Sequence, residues 1–190
     1  MRIITGSAKG KRLKAPSGLK TRPTTDRVKE SLFSIIQEFL SGARILDLFA
    51  GTGNLGLEAL SRGAVHAIFV DQAQECSRLI RENAAYTNLL NRCDVWRIQA
   101  SEALARCKRE QLAFDIIFCD PPYNQGHPLQ ILHFIDENPA LLPNGLLILE
   151  HSRHESLPEN LDRLELRRQE QYGETMISFF KMPAHKEDLS

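Results

Sequence analysis

Residues 44–71 constrain the fold of this chain more than any other stretch. Arg44-Ile-Leu-Asp-Leu-Phe49 is a nearly continuous apolar run, as expected of a strand buried on both faces. It breaks at Ala50-Gly-Thr-Gly-Asn-Leu-Gly56, and residues 55–63 then read as a helix closed by Gly63. His66-Ala-Ile-Phe-Val-Asp71 resumes as a second buried strand. Strands joined through a helix of this kind lie parallel, because the crossover returns the chain to the same end of the sheet.

The alternation continues along the chain. A long helix runs to about Leu90, and Cys93-Asp-Val-Trp-Arg-Ile98 is the third strand, with Trp96 expected in the core. A short helix near 101–110 precedes Phe114-Asp-Ile-Ile-Phe-Cys-Asp120, the fourth strand; a helix around 128–138 precedes the fifth, Gly145–Glu150. Residues 164–171 and 175–182 flank Tyr172-Gly173-Glu174 as an antiparallel pair at or near the sheet edge. Upstream, residues 2–5 and 11–15 read as a small β-hairpin, and 16–23 as loop. A helix begins at Thr24 or Thr25, with apolar residues at Val28, Leu32, Ile35, Ile36, Phe39 and Leu40, and Gly42 ends it. The fold class predicted is α/β, a mostly parallel sheet with helices on both faces.

Composition narrows the setting. The cysteines (Cys76, Cys93, Cys107, Cys119) never form a CxxC, which argues against a zinc ribbon or a disulfide framework and fits a reducing cytoplasm. The first residues, MRIITGSAKGKR, have no apolar core of a leader, and no apolar run approaches the roughly 20 residues of a membrane span. Net charge is zero, yet residues 1–25 hold seven Lys/Arg (Arg2, Lys9, Lys11, Arg12, Lys14, Lys20, Arg22) and no acid. A basic stretch on an acidic remainder is the pattern of a polyanion-binding extension, although a solvated charge run accounts for it equally well.

The loop after the first strand has the character of a nucleotide site. Its glycines allow a tight turn and close backbone approach to a ligand, and Asp71, at the next strand end, can accept both ribose hydroxyl protons. Dinucleotide sites set a pyrophosphate on the helix N-terminus, and the carboxylate of Asp47 would repel one. It suits a cationic ligand instead, and S-adenosylmethionine carries both a sulfonium and an α-ammonium. The expected cofactor residues are Asp47, Phe49, Ala50, Gly51, Thr52, Gly53, Asn54, Leu55, Gly56, Asp71 and Gln72, with Ala100 and Ser101 near the adenine. No metal is expected.

Asp120-Pro121-Pro122-Tyr123 follows the fourth strand. Its chemistry suits an aromatic amine, whose two hydrogens the Asp120 carboxylate and the Pro121 carbonyl can hold, aiming the nitrogen lone pair at a methyl donor. The prolines fix φ and supply no competing N–H, and Tyr123 offers a ring on which a base can stack. These four are the expected catalytic residues.

Five blocks carry a family likeness: Arg2-Ile-Ile-Thr-Gly-Ser-Ala-Lys-Gly-Lys-Arg-Leu13, Thr21-Arg-Pro-Thr-Thr-Asp-Arg-Val-Lys-Glu-Ser-Leu-Phe33, Asp47–Gly56, Asp120–Tyr123 and Gln171-Tyr-Gly173. Through them the chain resembles, almost end to end, the bacterial 16S rRNA guanine-N2 methyltransferases of the RsmD type. The resemblance implies a seven-stranded Rossmann-like methyltransferase sheet and methylation of one guanine, position 966, in 30S subunits or their assembly intermediates. On that reading the protein is a cytoplasmic monomer with a basic hairpin or arm at 1–23, a catalytic domain at 24–183 and a tail at 184–190. Arg2, Lys9, Lys11, Arg12, Lys14, Arg22, Thr24 and Arg27 become the expected RNA contacts, while Asp26 and Lys29 suit an N-cap and a solvated helix face as well as a base pocket. A DNA adenine-N6 enzyme shares the Asp-Pro-Pro-Tyr motif but usually carries a separate recognition region. A dehydrogenase would explain the glycines but not Asp47 or Asp120. A non-catalytic RNA-binding factor would have no need of Asp47, Asp71 and Asp120 together.

Overall fold

The computed structural model describes residues 1–15, 26–122, 127–138, 140–158 and 160–184. Its seven strands form one sheet in the order β3-β2-β1-β4-β5-β7-β6, as the α/β reading predicts. By internal contacts the chain divides into two compact units, Met1–Ala100 and Ser101–Ser190.

In the first unit, α1 (Asp26–Ile35) and a 3-10 turn (Gln37–Phe39) lead to Gly42, whose φ of 77° closes the segment. Then come β1 (Arg44–Leu48), α2 (Asn54–Ser61), β2 (His66–Val70), α3 (Gln74–Thr87) and β3 (Cys93–Trp96). β2 pairs in parallel with both β1 and β3. Ile45, Leu46, Leu48, Ala67, Phe69 and Val70 are all buried, which is why these strands read as unbroken apolar runs. β3 is different. It lies at the sheet edge, and Trp96 is half-buried rather than in the core, because an edge strand has a neighbour on one side only.

The basic N-terminal stretch is fastened onto this unit. Arg2 and Arg12 form an antiparallel bridge, and the loop between them buries Ile3 and Ala8, with Leu13 buried just beyond. Ser7 N–H donates to Ser61 O (2.8 Å) and Ala8 N–H to Ser61 Oγ (3.0 Å). Gly6, at φ 88°, lies so close to Ser61 that a Cβ there would overlap its carbonyl, so only glycine fits.

The second unit contains α4 (Ala100–Arg109, its first residue in the preceding unit), β4 (Phe114–Cys119), α5 (His127–Glu137), β5 (Leu141–Ser152), β6 (Glu165–Tyr172) and β7 (Thr175–Lys181). β4 and β5 are parallel; β7 runs antiparallel to both β5 and β6 and places the polar β6 at the edge, where its charged residues deter pairing with other chains. Gly173 turns the hairpin at φ 67°. β5 starts earlier than the sequence indicates: Leu141 already pairs with Phe114, and a kink at Asn144 (φ 65°) precedes the expected strand. Asp136 fixes the segment before β6 by accepting N–H bonds from Asp162, Arg163 and Leu164 (2.7–2.8 Å). Among the described residues no helix is long and apolar enough to cross a membrane.

Candidate active site

β1 delivers the chain into a strained turn. Phe49 has φ 58°, a left-handed conformation that costs a non-glycine residue about 1–3 kcal/mol. Gly51 (φ 56°) and Gly53 (φ 79°) take the same region without that cost, and Asn54 then opens α2. The loop is pinned by Ala50 N–H to Val70 O (2.9 Å) and Gly53 N–H to Ala50 O (2.7 Å). A Cβ on Gly56 would lie 2.3 Å from Cε1 of buried Phe69 and 3.0 Å from Oδ2 of Asp47, so the third glycine is demanded by close packing.

The half-buried Asp71, just past β2, holds the turn from the other side. Its Oδ2 accepts Gly51 N–H (3.0 Å) and its Oδ1 accepts Ala73 N–H (2.9 Å). Cys76 also hydrogen-bonds this carboxylate, so of its roughly four lone-pair positions one stays open, enough for a ribose hydroxyl. Gln72 beside it is exposed.

Asp47 occupies a position that the sequence does not reveal. It lies beneath the loop, 2% exposed, with Oδ2 accepting Gly56 N–H (2.9 Å) near the N-terminus of α2. Burial pushes its carboxyl up to about 7; the Gly56 bond opposes that rise and Asp71 adds to it. The sign of the linked stability follows. Between about pH 4 and 7 the unfolded chain has released this proton and the native state retains it, so stability from this group falls as pH rises. Chemical unfolding across that range should show Asp47→Asn relieving a slope of roughly 1 kcal/mol per pH unit. Parallel curves for wild type and variant would show that Asp47 is ionised throughout.

The expected RNA contacts divide into engaged and open groups. Arg2 pairs with Asp26 (3.1 Å), Lys14 with Glu82 (2.9 Å), and Lys11 donates to Tyr86 O (2.8 Å) while lying over the Tyr86 ring. Lys9, Arg12 and Arg27 are exposed and have no ion-pair partner among the described residues. Arg22 and Thr24 lie outside the described residues. Lys29 is neither a base-pocket residue nor a solvated one. It is wholly buried, donating to Asn54 Oδ1 (2.8 Å), Arg2 O (2.5 Å) and Glu58 Oε2 (3.0 Å). Desolvation holds its ammonium below the usual lysine range against the pull of Glu58. Sequence reasoning missed Glu58 and Asn54 as its associates, and Asn83, which bonds Lys14 and Thr52; a charged residue at an inward helical position is the one signal that marks Lys29 and Glu58.

In the second unit Asp120 directly follows β4 and is half-buried, with Pro121 buried and Pro122 exposed. Tyr123 lies outside the described residues. The buried run Ile116–Cys119 and its ladder to β5 fix the backbone that presents Asp120. Ala100, half-buried, opens α4 as the last residue of the first unit; Ser101, exposed, is the first of the second.

Known proteins resemble this chain along most of its length. A family model described as conserved hypothetical protein 95 matches residues 1–181. The chain belongs to that family. The Bacillus subtilis protein YlbH is 43% identical over 181 residues, covering 95% of this chain and 98% of its own length. The Escherichia coli K12 ribosomal RNA small subunit methyltransferase D is 31% identical over 187 residues, covering 98% of this chain and 92% of its own. Among solved structures, the Escherichia coli protein yhhF superimposes with a TM-score of 0.86 at 32% identity, covering 97% of this chain and 99% of that one. The resemblance to the RsmD type is thus borne out, and so is the methyltransferase fold.

Proposed function

We propose that the protein transfers a methyl group from S-adenosylmethionine to the exocyclic N2 of one guanine of 16S rRNA, within small-subunit particles in the cytoplasm. The observation that carries this reading is Asp71: a strand-end carboxylate clamps a left-handed glycine turn by Gly51 N–H (3.0 Å) and retains a lone pair for a ribose hydroxyl. The relative named ribosomal RNA small subunit methyltransferase D, matched over 98% of this chain, supports the substrate class. The guanine at position 966 is the target that the RsmD resemblance implies.

S-adenosylmethionine, when bound, supplies an electrophilic methyl group on sulfur. The protein's part is positioning. Gly51 and Gly53 keep the loop backbone bare of side chains, Asp71 receives a ribose hydroxyl, and Asp47 places a buried carboxyl under the N-terminal turn of α2. Asp120 and the Pro121 carbonyl hold the two amine hydrogens, and Tyr123 stacks on the base. As the new carbon–nitrogen bond forms and the methyl–sulfur bond breaks, leaving S-adenosylhomocysteine, the amine proton would pass to the Asp120 carboxylate, which offsets the charge developing on nitrogen. Lys9, Arg12 and Arg27 contact phosphate. An RNA contact of this kind weakens with salt, because each neutralised phosphate releases counterions.

Nucleoside mass spectrometry of small-subunit RNA, from particles incubated with protein and S-adenosylmethionine, tests the reading. N2-methylguanosine, at most one gained per particle, is the expected product. N6-methyladenosine, or methylation of DNA in preference to RNA, would replace this reading with the rival one.

A further inference from the structure

We infer that Lys29 and Asn83 are positioning residues that couple the basic N-terminal segment to the cofactor loop, so that engagement of residues 1–15 and cofactor binding reinforce one another. The inference rests on the cofactor reading above and goes beyond it. The two ends of the segment are tied to two residues of the loop, Thr52 and Asn54. At one end the buried Lys29 ammonium bridges Arg2 O (2.5 Å) and Asn54 Oδ1 (2.8 Å), Asn54 being the residue that follows Gly53. At the other, the Asn83 side chain accepts Lys14 N–H (2.8 Å) and donates to Lys14 O (3.1 Å) and Thr52 O (3.0 Å). Met1 adds a contact of its own, its sulfur accepting the Thr52 hydroxyl (3.4 Å).

The arrangement is saturated. Lys29 has three donors, and all three are used, by Arg2, Asn54 and Glu58. Glu58 in turn receives the N–H groups of Ile4 (2.8 Å) and Thr5 (3.0 Å) and the Arg62 guanidinium (2.7 Å). Undocking the first five residues therefore strips two donors from Glu58 and an acceptor from Lys29, the residue that holds Asn54 at the start of α2. A well-packed apolar contact would attach the segment at equal or lower cost. What the polar bridges add is direction: they hold the Asn54 amide and the Thr52 carbonyl at fixed orientations in a loop whose backbone must meet a ligand. Coupling of this kind is reciprocal, so whatever steadies the loop steadies the segment.

Amide hydrogen exchange on the wild-type protein, with and without S-adenosylhomocysteine, tests this without any substitution. Exchange at Ile4, Thr5 and Lys14, whose N–H groups bond Glu58 and Asn83, should slow by about tenfold when the loop is filled. Calorimetry with Asn83→Ala and Lys29→Met, checked for folding by thermal melting, should show S-adenosylhomocysteine affinity reduced by about tenfold. Methyl transfer should show a raised KM for S-adenosylmethionine with kcat little changed, and Lys29→Arg should recover part of the loss. A wild-type protein that does not bind S-adenosylhomocysteine overturns the cofactor reading and the coupling with it. Tight binding with unchanged exchange at those three amides, or with full affinity in folded Asn83→Ala and Lys29→Met, overturns the coupling alone.

Discussion

Asp120→Ala should lower the single-turnover rate of methyl transfer to small-subunit particles by a factor on the order of 10²–10³, the loss seen when one preorganised polar contact to a reacting group is removed. The residue follows a strand whose last four residues are fully buried, so its backbone is held before any substrate arrives. On the proposed mechanism the alanine variant loses an acceptor for one amine hydrogen and a negative charge beside a nitrogen that becomes positive. Cofactor affinity should survive, because Gly51–Gly56 and Asp71 are untouched. Asp120→Asn separates the two contributions: it keeps one acceptor oxygen and discards the charge. An intermediate rate is expected if holding the amine matters more than taking its proton, and a rate as low as alanine's if proton acceptance dominates. Thermal melting establishes that each variant is folded. A folded Asp120→Ala protein that methylates at the wild-type rate would place the chemistry elsewhere.

The strands that mattered most were legible because they are buried on both faces: Ile45–Leu48 and Ile116–Cys119 can hardly be read otherwise. Edges were harder. Trp96 is apolar and strand-forming, so local pattern puts it in a core, whereas only the strand order tells that β3 has a single neighbour. The early start of β5 was hidden by Pro143 and Asn144, turn residues that here form a kink inside one strand. At the candidate site, Asp71 and the glycines were visible from spacing, since close backbone approach demands those residue types. The setting of Asp47 was not, because a strand-end acid reads the same whether it faces solvent or a helix N-terminus. Charge counting also misled in part. The N-terminal cations form a basic stretch in sequence, yet Arg2, Lys11 and Lys14 are engaged with Asp26, Tyr86 and Glu82. The pairing partners come from helices far along the chain, and no count along the sequence brings them together.

Those same folded-back contacts give the largest expected effect on stability, at Glu58. Its carboxylate is wholly buried and meets Lys29 (3.0 Å), Arg62 (2.7 Å) and the N–H groups of Ile4 and Thr5. An exposed ion pair would contribute little, but here both Lys29 and Glu58 are removed from water, and the Lys29 charge is tolerated chiefly because Glu58 is present. Glu58→Ala leaves the Lys29 ammonium facing Arg2 O and Asn54 Oδ1 with only the weaker pull of Asp26 as countercharge, and orphans two backbone donors. The cost should be about 3–5 kcal/mol in denaturant unfolding. For a chain of this length each kcal/mol lowers Tm by roughly 2–4 °C, so melting should fall by at least several degrees. The loss also carries a pH signature. Desolvation already depresses the Lys29 ammonium, and without Glu58 it is depressed further, so the native state sheds that proton before the unfolded chain does. Stability of the variant should therefore recover as pH rises from 7 toward 10, narrowing its gap to wild type. A Glu58→Ala protein within about 1 kcal/mol of wild type at pH 7 would mean that water reaches Lys29 and that the N-terminal segment is only loosely attached, whereas a gap that stays constant toward pH 10 would mean that Lys29 keeps its charge without Glu58.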